Sequence, residues 1–164
     1  MLRFFGAAFV SCAVLVGGLL LENAEMKKIR CREAFLSLLN YIKNMVNARI
    51  PPERILENFS DKELERCGFQ KELRDHGVKA LCILKENGSG ERMGLSAREA
   101  DILCEFACAF SRCPTYGDCA AMCEKYASVY GFLISEKSPK QKSMAELYRK
   151  LGVISSAAVF VILI

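Results

Sequence analysis

Leu147-Tyr-Arg-Lys-Leu-Gly-Val-Ile-Ser-Ser-Ala-Ala-Val-Phe-Val-Ile-Leu-Ile164 decides how the rest of the chain is read. Arg149 and Lys150 close a polar region, and from Leu151 onward there is no charge. Phe4 to Leu21 is a second uncharged run at the other end. Such runs seek a protein core or lipid, and a charged middle between two of them reads as a soluble body with membrane-embedded ends.

The 164 residues suffice for one domain with a core of its own. Apolar residues make up 52%, largely because of the two ends. The middle is rich in Glu, Lys, Arg, Leu and Ala, a helix-forming mixture, and lacks a period-2 run of β-branched residues. The expected fold class is therefore all-α: an antiparallel helical bundle between two apolar terminal membrane helices. The expected segments are an anchor over 1–21, a bundle over 22–150 and a membrane segment over 151–164.

Positive residues crowd beside the apolar ends. Lys27, Lys28, Arg30 and Arg32 follow the first, and Lys137, Lys140, Lys142, Arg149 and Lys150 precede the second, whereas only Arg3 lies outside the first run. By the positive-inside rule the middle faces the cytoplasm. Glu22-Asn-Ala24 lacks the small residue expected three positions before a signal cleavage site, which favours an uncleaved anchor. Eighteen residues from Phe4 to Leu21 reach ~27 Å as helix, close to a bilayer core, and the fourteen from Leu151 reach ~21 Å, short of a span. The tail must extend upward past Arg149 and Lys150, with their side chains snorkelling, or pack against the first anchor. Gly6, Gly17 and Gly18 on one side and Gly152, Ser155 and Ser156 on the other permit a close helix pair.

Between the ends the pattern is helical. Glu22 to about Arg49 reads as one helix with Phe35, Leu38, Leu39, Ile42, Met45 and Val46 inward, stopped by Pro51-Pro52. A short helix over 52–58 follows, with Ile55, Leu56 and Phe59 as its contacts. Ser60-Asp-Lys-Glu63 and Ser96-Ala-Arg-Glu99 match capping boxes, each opening a helix. Lys71 to Lys85 is expected to be helical with Gly77 as its weak point, and Gly88 to Gly94 to be a loop. Ile102, Leu103, Phe106, Ala107 and Phe110 form the inward face of the next helix. Asp118 to about Lys137 forms another, with Ala120, Cys123, Ala127, Tyr130 and Leu133 inward. Ser138-Pro139 is expected to break it and start a new helix into the tail.

The tail motif, Leu147-Tyr-Arg-Lys-Leu-Gly-Val-Ile running into a final Ile-Leu-Ile, resembles the C-terminus of the stage III sporulation protein AB family of endospore-forming bacteria. The apolar start at Met1-Leu2-Arg3, Pro51-Pro52-Glu53, Gly94-Leu-Ser-Ala-Arg-Glu-Ala-Asp101 and Phe106-Ala-Cys-Ala-Phe-Ser111 extend the resemblance over most of the chain. It implies a bundle similar to the F-type platform proteins of type II secretion and type IV pilus machines. It also implies a place in the complex linking mother cell and forespore, needed for late forespore development. The implied partners are a cytoplasmic secretion-type ATPase, stage III sporulation protein AA, and other membrane proteins of that complex. The implied location is the cell membrane, with the bundle facing the mother-cell cytoplasm. The turn Arg112-Cys-Pro-Thr-Tyr-Gly-Asp118, Pro139 and the cysteine load depart from the family pattern.

Nine cysteines suit either a reducing cytoplasm, where they act as small hydrophobes, or a secreted module stapled by disulfides after a leader is removed. The charge-derived topology favours the first. Cys104 and Cys108, and Cys119 and Cys123, are i,i+4 pairs on two helices joined by a turn, so four thiolates could meet around zinc. Core filling is the more economical reading, because zinc sites favour two-residue gaps. His76, the single histidine, lies among Arg74, Asp75 and Gly77 and reads as solvated. Glu63/Glu65, Glu99/Asp101 and Glu124 read as ordinary charged faces. There is no P-loop, GxGxxG, HExxH or GxSxG pattern. The basic clusters lack interleaved aromatics, which disfavours nucleic acid, and they fit anionic lipid headgroups instead. The expectation is a non-enzymatic membrane platform with no catalytic residue, cofactor, resident metal or small-molecule substrate.

Overall fold

The computed structural model describes the backbone from Leu2 to Leu163, and all side chains in that range except those of residues 2–4, Glu53 and Leu163. Met1 and Ile164, the outer residues of the two expected membrane segments, lie outside the described residues. The chain is all-α: α1 (Leu2–Asn47), α2 (Lys62–Arg66), α3 (Phe69–His76), α4 (Ala80–Glu86), α5 (Ser89–Arg92), α6 (Ala97–Phe110) and α7 (Tyr116–Leu163). Single 3-10 turns occupy Pro52–Arg54 and Gly77–Lys79. It forms two compact units, Met1–Ile29 with Lys137–Ile164, and Arg30–Glu136. α1 and α7 each pass from one unit into the other without a break.

The central unit, Arg30–Glu136, holds the core. Phe35, Leu38, Leu39 and Ile42 of α1 are fully buried, as are Ile55, Leu64, Leu81, Leu103, Phe106 and Tyr130. Each such side chain contributes roughly 1.5–3 kcal/mol of transfer free energy. Ring pairs lock the aromatic part of this core: Phe35 with Phe69 at 5.1 Å, Tyr41 with Phe59 at 5.0 Å and Phe106 with Tyr126 at 5.8 Å between centroids. α4 runs along α6, which brings Leu81 and Leu84 into this core beside Leu103.

The expected capping box at Ser60 is not formed. Asp61 caps α2 instead, its Oδ1 accepting from the amides of Glu63 (2.8 Å) and Leu64 (3.2 Å). A carboxylate one residue closer to the helix takes both orphan donors and leaves Glu63 to pair with Arg66. The box at Ser96 does form, with Glu99 accepting from the Ser96 amide at 2.6 Å. Thr115 opens α7, accepting from the Asp118 amide at 3.2 Å and donating to its carboxylate at 2.6 Å, so α7 starts at Tyr116 rather than at Asp118.

Gly77 has φ 61° and divides the expected helix over 71–85 into α3, a 3-10 turn and α4. The expected loop over 88–94 contains the one-turn α5 between two left-handed glycines, Gly88 and Gly94. The short helix expected over 52–58 shrinks to the 3-10 turn at Pro52–Arg54.

Pro139 neither ends nor restarts a helix; α7 continues through it. The missing amide strands one carbonyl, that of Ser135, and both residues are exposed, so water can take that carbonyl where a buried helix would have to break.

In the other unit, α1 and α7 run antiparallel, since Gly18 faces Gly152 while Glu22 lies 3.7 Å from Arg149. Ala7, Ser11, Ala145 and Gly152 are buried along this pair. The apolar stretch of α1 has mean hydropathy 2.0 and only 17% of it is buried, in contrast to the core residues Phe35 to Ile42 further along the same helix. It is long and apolar enough to cross a membrane, a property that membrane anchors and signal sequences share. Among the described residues α7 contains no such stretch.

Candidate functional site

Three constellations stand out. The first is the crossing of the terminal pair. A Cβ added to Gly18 would lie 2.7 Å from the Gly152 Cα and 3.1 Å from the Tyr148 carbonyl oxygen. The reverse substitution would place a Cβ 3.0 Å from the Gly18 Cα. Only glycine permits this approach on either helix. Among the described residues nothing lies within 4 Å of a Cβ added to Gly6 or Gly17, whereas one added to Gly18 meets the partner helix. Ser155 is exposed and Ser156 half-buried. Outward from the pair point Phe5, Phe9, Leu20, Leu21, Ile154, Val161 and Ile162, all strongly exposed.

The second lies inside the central unit. Arg32 and Glu99 form a buried ion pair, Nε to Oε2 3.2 Å, with side chains 8% and 0% exposed. The Arg32 Nη2 also donates to the Gly94 carbonyl at 2.6 Å. Gly94 has φ 82°, the left-handed turn that lets α6 begin just after that carbonyl. Glu99 thus serves twice, as capping carboxylate and as counter-ion. The Tyr130 hydroxyl is buried beside them without a hydrogen-bond partner. Burial, then the Glu99 charge, pushes that phenol well above its usual range.

Neither charge was read as buried. In sequence Arg32 belongs to the basic cluster after the first apolar run, and Glu99 to a charged face. The signal was present: Arg32 shares the face of Phe35, Leu39 and Ile42, and Glu99 that of Leu103, Phe106 and Phe110. Opposite charges interrupting two apolar stripes find each other in the core.

The third constellation concerns the cysteines, all nine of which are free thiols. The four residues proposed from spacing do not converge. Cys104 and Cys108 of α6 join Cys82 of α4, the three Sγ atoms lying within 4.8 Å of one another and Cys82 to Cys108 at 3.9 Å. The Cys82 thiol also donates to the Cys104 carbonyl at 3.7 Å. Cys119 and Cys123 neighbour Cys113 instead. Among the described residues Cys82, Cys104 and Cys108 are the one group spaced to hold a metal. Burial first, and then the neighbouring thiols, push Cys82 up to about 12. Burial and then Cys123 and Cys113 push Cys119 up to about 12, and burial raises Cys123 to about 11. Cys82 was missed because it stands 22 residues before Cys104 and fits the apolar face of α4.

His76, read as solvated, is 54% exposed on its side chain and lies 3.6 Å from Glu72. It lines a cleft of about 440 Å³ with Lys79, Cys82, Glu86, Cys108 and Arg112.

No family model matches the sequence, and no curated protein or solved structure matches the chain.

Proposed function

We propose that the chain is a non-enzymatic membrane platform whose two apolar ends lie together in the bilayer and hold the helical bundle on the cytoplasmic face. The observation that carries this reading is the Gly18–Gly152 crossing, with small residues turned inward and Phe5, Phe9, Ile154 and Ile162 turned outward. A water-soluble pair would bury its large side chains and expose its small ones. In lipid the order reverses, because tight backbone contact replaces the hydrophobic effect as the source of helix association. Glu22 compensates Arg149, Glu146 compensates Lys150, and both basic side chains are exposed enough to reach the headgroups.

The tail motif and its resemblance give the finer reading: a stage III sporulation protein AB-type component, in the complex joining mother cell and forespore, that receives the secretion-type ATPase stage III sporulation protein AA on its cytoplasmic bundle. The bundle's mixed acidic and basic surface and the lack of catalytic motifs in the sequence support a docking role. The test is co-purification. Tagged full-length chain, extracted from membranes in mild detergent with the ATPase co-expressed, is expected to retain the ATPase through high-salt washing. Release of all ATPase at the first wash would reject the platform assignment while leaving the membrane reading intact.

A further inference from the structure

We propose that Cys82, Cys104 and Cys108 form a binding site for a thiophilic d10 cation, Zn²⁺ as the working case. Two helices supply the ligands: α6 presents Cys104 and Cys108 one turn apart on one face, and α4 sets Cys82 against them. A zinc–sulfur bond of about 2.3 Å in a tetrahedral shell puts neighbouring sulfurs ~3.8 Å apart. Cys82 and Cys108 already stand at 3.9 Å. The whole triangle fits within 4.8 Å, so the largest contraction needed is about 1 Å (4.8 less ~3.8), within reach of side-chain adjustment.

Access and charge agree with this. Cys108 is exposed and Cys82 half-buried at the wall of the cleft, so a cation reaches the thiols from solvent. Binding releases three protons as three S–H bonds give way to three Zn–S bonds. The complex then carries one net negative charge, and Lys79 and Arg112 on the cleft wall outnumber Glu86 to balance it. His76 lines the same cleft as Cys82 and Cys108. Burial, and then the neighbouring thiols, raise the proton affinity of Cys82; a bound dication would oppose both, as metal ligation requires. The inference is independent of the membrane reading.

The experiment uses full-length protein in detergent, stripped with chelator and kept reduced. Co²⁺ is added as the spectroscopic probe and then displaced with Zn²⁺. The expected result is a near-ultraviolet thiolate-to-cobalt charge-transfer band that saturates at one equivalent and disappears on addition of zinc. Cys82→Ser and Cys108→Ser lose the band, whereas the double variant Cys119→Ala/Cys123→Ala keeps it. Peptide mapping gives a readout free of variants: Zn²⁺ lowers maleimide labelling of Cys108 in the unaltered chain at least tenfold. Absence of the band, its persistence in both serine variants, or undiminished Cys108 labelling with zinc overturns the proposal.

Discussion

Glu99→Gln removes one charge from the central unit and little else. Glutamine has the shape of glutamate, and its carbonyl oxygen can still accept from the Ser96 amide, so the cap of α6 survives. What goes is the counter-ion of Arg32, a side chain 8% exposed whose Nε lies 3.2 Å from the carboxylate. The gross attraction at that distance is ~5 kcal/mol with an effective dielectric of 20. Removing one partner of a buried pair usually costs about 3–5 kcal/mol, because the other charge stays desolvated. Arg32 keeps the Gly94 carbonyl and a sliver of exposure, so the expected loss sits at the low end, about 3 kcal/mol. For a chain of this length that corresponds to a drop of roughly 6–12 °C in Tm. Glu99→Ala costs about 1 kcal/mol more, since the capping bond goes as well. Arg32→Met in the Glu99→Gln background recovers part of the loss by removing the stranded charge. Denaturant unfolding of the full chain in detergent, followed by circular dichroism, measures all four proteins. A Glu99→Gln variant within about 0.5 kcal/mol of the parent, the range of surface substitutions, refutes the reasoning.

Gly18→Ala must push the α1–α7 pair apart by at least 0.7 Å, from 2.7 Å to an ordinary contact of 3.4 Å, and is expected to lose about 1–3 kcal/mol in micelle unfolding. Gly17→Ala, with nothing within 4 Å, is the neutral control, and equal effects would remove the crossing from the account. Tyr130→Phe deletes a buried hydroxyl that has no hydrogen-bond partner, so stability should hold or rise by up to about 1 kcal/mol; a loss above that would reveal a bond not seen here. Alkaline pH should destabilise the metal-free central unit. Cys82 and Cys119 hold their protons up to about 12, and Cys123 to about 11, against 9.0 for an ordinary thiol. Their contribution is therefore complete below about pH 9 and drains away as pH rises toward 12. Unfolding midpoints measured across that window should fall, and should fall less in Cys119→Ala/Cys123→Ala.

Periodicity made most of the core legible. Phe35, Leu38, Leu39, Ile42, Leu103, Phe106, Tyr130 and Leu133 are inward as three-four spacing requires. Local signals misled where a neighbour offered a better bond or solvent lowered a cost. Asp61 outcompeted Ser60 for the start of α2, and an exposed Pro139 was absorbed into α7. Long-range partnerships were the hardest to read. Arg32 and Glu99 are 67 residues apart, and only the apolar stripe that each interrupts marks it as other than a surface charge. The metal-spaced thiols escaped for the same reason: i,i+4 spacing identifies Cys104 and Cys108 as sharing a face, but only packing of α4 on α6 selects Cys82 over Cys119 as their neighbour.

The central claim is that Gly18–Gly152 joins two lipid-embedded helices. Alkaline carbonate extraction of membranes from cells expressing the full chain tests it most directly. The account predicts that the unaltered protein stays in the membrane pellet with the integral proteins. Recovery of the protein in the carbonate supernatant would contradict it.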